Sequence, residues 1–190
     1  PKHKYFGPIG TGNGGRNTNY GLPRFKSAEF ENKFPFGIVN LEDNDLPIKC
    51  KITGWSPFIP GDSKNSSLPV TGIEYSFENE SVNNLNLIFS YHIENFISKN
   101  KSKNSIYPIE NGIHIQSDEI ENGIPYRQLR IILDEPNSVI DCAWFRGDWF
   151  DTKTILWKNI SNGMIPNASV HKEGAASDGG SIYVPFSLKP

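Results

Sequence analysis

Residues 56–79 read S-P-F-I-P-G-D-S-K-N-S-S-L-P-V-T-G-I-E-Y-S-F-E-N, and this stretch decides the fold. Its second half alternates. Ile73, Tyr75 and Phe77 fall on one side, Glu74, Ser76 and Glu78 on the other, which is the period of a half-buried strand. Its first half is polar and stiffened by Pro57, Pro60 and Pro69, while Asp62 and Asn65 can close turns by bonding their own backbone. On the near flank Leu46, Ile48, Cys50 and Ile52 alternate with Lys49 and Lys51, so a second strand precedes the loop. The stretch reads as a shaped connector between two strands.

Working outward, the same period recurs. Leu85, Leu87, Phe89, Tyr91 and Ile93 alternate with Asn86, Ser90 and His92, and the polar run E-N-E-S-V-N-N before them predicts a hairpin with the preceding strand. Phe34, Phe36 and Ile38 form a further candidate, with Pro35 placing it at a strand start or a sheet edge. Residues 112–116, 129–133 and 139–145 are weaker candidates, and Ile182, Val184, Phe186 and Leu188 close the series. One segment departs from this pattern: residues 151–163 begin with Asp, end in Asn-Gly, and allow Phe150, Trp157 and Ile160 to share a helical face. The expected fold is therefore all-β, an antiparallel β-sandwich with one short helix near residues 150–162. It is expected as a single domain over residues 1–190, with 1–20 an irregular Gly-rich segment. Long polar loops are expected at 1–22, 57–67, 98–111 and 166–180.

Composition excludes several classes. Net charge is -2 over 190 residues, with both signs interspersed, so no nucleic-acid partner is expected. No apolar run reaches the roughly 18 residues of a spanning helix, so no transmembrane segment is expected. Pro1, Lys2, His3 and Lys4 lead into Gly-rich sequence rather than a signal peptide, and Pro1 in place of Met suggests a chain processed or cut from something longer. No compartment is assigned. Cys50 and Cys142 make no disulfide framework and read as buried thiols, with a single bridge as the other option. Asn65, Asn79, Asn159 and Asn167 fit the glycosylation sequon in an Asn-rich chain that gives no other sign of secretion.

Each motif with chemical promise has a plainer reading. Residues 10–15, G-T-G-N-G-G, suggest a phosphate loop, but no helical pattern follows to present its N-terminus. Glu42, Asp43, Asn44 and Asp45 lack the central Gly and distal Glu of a calcium loop and suit a turn. His3, His92, His114 and His171 are scattered, so no metal site and no cofactor are expected. There is no G-x-S-x-G elbow. Asp148 and Asp151 flank Trp149 and Phe150, as a sugar-cleaving pair of carboxylates would, yet they sit where a helix begins and acidic residues cap its free N–H groups. Arg146 can hold a substrate carboxylate, pair with Asp148 or Asp151, or stack on Trp144 or Trp149.

Four motifs in order resemble the N-terminal domain of glycoside hydrolase family 116, which includes non-lysosomal glucosylceramidase and microbial β-glucosidases. They are G-L-P-R-F from Gly21 with F-E-N-K-F-P-F from Phe30; P-F-I-P from Pro57 through Asp62 to S-S-L-P-V at Val70; W-F-R-G-D-W-F-D from Trp144; and D-G-G-S-I-Y-V-P-F-S-L-K-P from Asp178. Asp148 stands where the family has Gly. The resemblance implies a β-sandwich packed on an (α/α)6 barrel that carries the two carboxylates of a retaining mechanism and is absent from these residues. On that reading no residue here is catalytic. The barrel is the partner, a β-glucoside or glucosylceramide is the substrate, and Asp62, Ser66, Ser67, Arg146, Asp148, Trp149 and Asp151 are candidates for the interface or the rim of the sugar site. A stand-alone carbohydrate-binding module, with Trp55, Trp144, Trp149 and Trp157 as stacking candidates, is the alternative.

Overall fold

The structure is a computed structural model and describes residues 23–97, 104–121, 124–125, 127–146, 152–167 and 170–190. Asp148, Trp149 and Asp151 lie outside these, as does the 10–15 glycine loop. The fold is all-β and antiparallel, as expected, and among the described residues the one helix of more than a single turn is α2, Thr152–Ser161. The chain divides into two compact units; the first comprises Pro23–Asn86 with Ser187–Pro190, the second Leu87–Phe186.

The first unit is built on a four-stranded meander: β1 (Ser27–Lys33), β2 (Phe36–Glu42), β3 (Ile48–Trp55) and β4 (Gly72–Asn79), in that order. The acidic cluster at 42–45 is the turn between β2 and β3. The Asp43 carboxylate accepts the Asp45 N–H at 3.0 Å and its carbonyl accepts the Leu46 N–H at 2.9 Å. Register then follows from the alternation: Leu41 faces Cys50, and Cys50 faces Phe77. Cys50 is thereby buried and its thiol is free.

The second unit contains two three-stranded sheets. One runs β10 (Gln128–Ile132), β7 (Gly112–Ser117), β6 (Asn104–Ile109); the other runs β11 (Val139–Asp141), β12 (Gly179–Leu188), β5 (Leu85–Glu94). Two-residue strands β8 (Ile120–Glu121) and β9 (Ile124–Pro125) form a small extra ladder. Ile106, Ile113 and Ile115 from the first sheet meet Ile182, Val184 and Cys142 in one sealed cluster, with Phe89, Tyr91 and Ile93 packed against it. This is sandwich packing. It is close enough that a Cβ on Gly180 would press on the ends of Ile113 and Ile106, which would have to shift.

Three sequence expectations need correction. The run from Gly72 to Ile93 is not a hairpin: β4 lies beside β3, and β5 lies beside β12. The connector closes on itself instead, with Asn79 accepting from the Ser81 N–H and donating to the Asn83 carbonyl, while Phe89, Tyr91 and Ile93 gain burial in the second unit. The loop expected at 98–111 contains β6, whose Pro108 is tolerated because β6 is an edge strand. The loop at 57–67 contains a single helical turn, α1 (Ser63–Ser66). β1 is also new; only Ala28 and Phe30 carry apolar signal there, and all seven residues are exposed.

Candidate functional site

The loop between β3 and β4 spends its polar side chains on itself. Asp62 caps α1, its carboxylate accepting the Asn65 N–H at 3.0 Å and the Asn65 side-chain amide at 2.5 Å. Those bonds hold the Asp62 carboxyl below the usual carboxylate range, so it is an anion that accepts and not an acid that donates. Ser66 clamps Ile59 from both sides, accepting its N–H at 2.9 Å and donating to its carbonyl at 3.2 Å. Ser67 donates to the Ser63 carbonyl at 2.6 Å. The three candidate residues of this loop are brought together, but as staples.

What the loop turns outward is apolar. Phe58, Ile59, Leu68 and Val70 are exposed, and Phe34, 73% exposed in the β1–β2 turn, packs edge-on against Phe58 with ring centroids 4.8 Å apart. Beside them Phe36 and Trp55 are cross-strand partners with centroids 6.2 Å apart. These residues were legible as hydrophobic in sequence. The signal missed was that Asp62 and Ser66, by folding the loop backward, leave its apolar residues no interior to enter.

Arg146 belongs to the second unit. Its guanidinium donates to the Ala175 carbonyl at 2.5 Å and the Glu173 carbonyl at 2.8 Å, and so pins the segment leading to β12. Trp144 is 4% exposed and cannot stack on a sugar. Its indole N–H donates to Ser181 Oγ at 2.7 Å, and Ser181 Oγ also lies 2.8 Å from His92 Nδ1. His92 Nε2 reaches Ser90 Oγ at 2.9 Å. A Ser–His contact is how a hydrolase activates its nucleophile. Here Ser181 has no exposed surface and its oxygen already accepts the indole, so the pair is a buried knot. Burial drives His92 down to about 4, which keeps it neutral at pH 7. Ser177 extends the knot, accepting the Trp144 N–H at 2.9 Å and donating to the Gly179 carbonyl at 2.7 Å. The small side chains at Gly179 and Ser181 are the sequence signal for it: a Cβ at Gly179 would collide with the Trp144 ring.

The thiols are inert by the same logic. Burial beside Asp141 pushes Cys142 up to about 12, and burial raises Cys50 as well. Among the described residues no group of three or more His, Cys, Asp or Glu is placed to hold a metal ion. No described helix is long and apolar enough to cross a membrane.

The fold defines the class: an antiparallel all-β domain with one short helix. The particular family follows from comparison. The family model described as "beta-glucosidase 2, glycosyl-hydrolase family 116 N-term" matches residues 7–190, and the chain belongs to that family. Membership implies a catalytic domain in the same enzyme. A search of curated proteins found no match.

Proposed function

We propose that this chain is the non-catalytic N-terminal domain of a retaining β-glucosidase, that it braces the (α/α)6 catalytic domain, and that it shapes the rim of the sugar site. The substrate reaching that rim is a β-glucoside, glucosylceramide among them. The observation that carries the reading is the stapled loop of residues 56–70, which holds Phe58, Ile59, Leu68 and Val70 out of its own interior. Exposed apolar surface of this extent on a pre-ordered loop suits a domain interface, since less backbone entropy is lost when it docks.

The test uses the full-length enzyme carrying Phe34→Ser, Phe58→Ser and Leu68→Ser together. The catalytic domain is expected to unfold several degrees lower and KM for an aryl β-glucoside to rise. Unchanged stability and KM would sink the bracing role. The non-catalytic half of the reading fails separately if the 190-residue chain alone hydrolyses an aryl β-glucoside and Asp148→Ala with Asp151→Ala abolishes that activity.

A further inference from the structure

The register of the first unit's sheet assigns each side chain to one of two faces. Rows Leu41–Cys50–Phe77 and Val39–Ile52–Tyr75 make one face apolar. The other face carries Phe36–Trp55–Gly72, then Ile38–Thr53–Glu74, then Asn40–Lys51–Ser76, and at its end Lys49–Glu78 with Glu42 4.0 Å from the Lys49 ammonium.

Trp55 opens this second face in an unusual posture. A Cβ on Gly72 would collide with the six-membered ring of the indole, so the ring lies flat across the backbone of β4, which only glycine permits. One face of the indole is thus against the sheet, and the residue remains 37% exposed. A flat aromatic offered to solvent carries negative π density, and the C–H hydrogens of a pyranose are its natural partner. β-Glucopyranose is the flattest such partner because its ring substituents are all equatorial.

Further along the strands, at steps of about 7 Å for every second residue, come a hydroxyl and a carboxylate (Thr53, Glu74), then an amide, an ammonium and a hydroxyl (Asn40, Lys51, Ser76). These are donors and acceptors suited to vicinal hydroxyl groups. From Trp55 to Lys51 is about 13 Å, the length of roughly three sugar rings. Glu42, Glu74 and Glu78 sit beside Lys49 and Lys51, so the face has little net charge and suits a neutral polyhydroxylated ligand.

We infer that this face binds a neutral β-linked gluco-oligosaccharide, with Trp55 stacking on one ring and the Asn40–Lys51–Ser76 row bonding another. The inference does not depend on the bracing role and is tested apart from it.

The 190-residue chain is titrated with cellotetraose and laminaritetraose, with maltotetraose as the α-linked comparator, by calorimetry and indole fluorescence. Saturable binding of at least one β-linked tetrasaccharide is expected, weakened at least tenfold by Trp55→Ala and severalfold by Lys51→Ala. Trp55→Phe, which keeps a ring over Gly72, is expected to stay within about threefold of the unmodified chain and guards against mere misfolding of the alanine variant. Absence of saturation with the folded chain overturns the inference. So does binding indifferent to Trp55→Ala, or equal binding of maltotetraose. Sugar-independent self-association lost in Trp55→Ala would make the face a protein contact, and overturns it too.

Discussion

The two compact units differ in how much apolar surface they seal, although both also expose hydrophobic side chains. The second seals Ile113, Ile115 and Ile182 with essentially no exposed surface, and closes a polar knot of His92, Ser181, Trp144 and Ser177 beside them. The first has Cys50 as its buried hydrophobic residue, and leaves Phe30, Phe34, Phe58, Ile73, Leu68 and Val70 exposed. One sequence thus contains a region with a sealed apolar core and a region that has almost none. The lesson is that alternation predicts a strand in both units, but only where the apolar face meets a second sheet does it also predict a core.

The contrast can be broken most severely at Ile113. Ile113→Ala deletes buried methyl and methylene groups from a site that cannot collapse against two sheets, and is expected to cost about 4 kcal/mol in urea unfolding. Ile73→Ala, the same truncation on the half-exposed β4, is expected to cost less than about 1 kcal/mol. Equal costs would erase the distinction between the units.

Acid sharpens it next. His92 has a folded value of about 4 against an unfolded one near 6.5, so between those limits the unfolded chain binds a proton that the folded chain refuses. Stability therefore falls as pH drops from about 6.5 to about 4, by roughly 3 kcal/mol from this residue. His114, lowered first by burial and then by Arg130, acts in the same sense, whereas Asp141, raised by burial, opposes at the acid end. Stability measured against pH should flatten across this window in His92→Gln. A slope unchanged by that substitution would mean that the knot is open to water.

A smaller effect belongs to the loop. Asp62→Ala removes the α1 cap and its anionic acceptor, and is expected to loosen the loop, with faster proteolysis within residues 56–70 as the readout. Least in free energy, but clear in rate, is thiol chemistry: Cys142 should resist a disulfide reagent until the chain is unfolded.

Much of this was legible in sequence. The alternation of residues 46–52, 73–77, 85–93 and 182–188 located β3, β4, β5 and β12, and the spacing of residues 151–163 located α2. β1 and β6 escaped because one is almost wholly polar and the other carries a proline that only its edge position excuses. Pairing was less legible than existence. Periodicity says that residues 72–79 and 85–94 are strands, but not that the second prefers a partner almost a hundred residues on to its immediate neighbour. The turn-closing role of Asp62 was legible in the loop's residue types, but the partners of Ser66 and Ser67 were not. Asp62, Ser66 and Ser67 are polar in sequence, but which way a hydroxyl or carboxylate points depends on the turn it sits in.

That long-range pairing has a consequence for how the protein is made. The meander of β1 to β4 joins neighbours in sequence, so it can zip up as soon as those residues are free of the ribosome. β12 stands between β11 and β5, and until it is synthesised both lack a central partner and the isoleucines of β6 and β7 lack a lid. Translation therefore leaves roughly ninety residues without their finished sheet until the strand at residues 179–188 arrives.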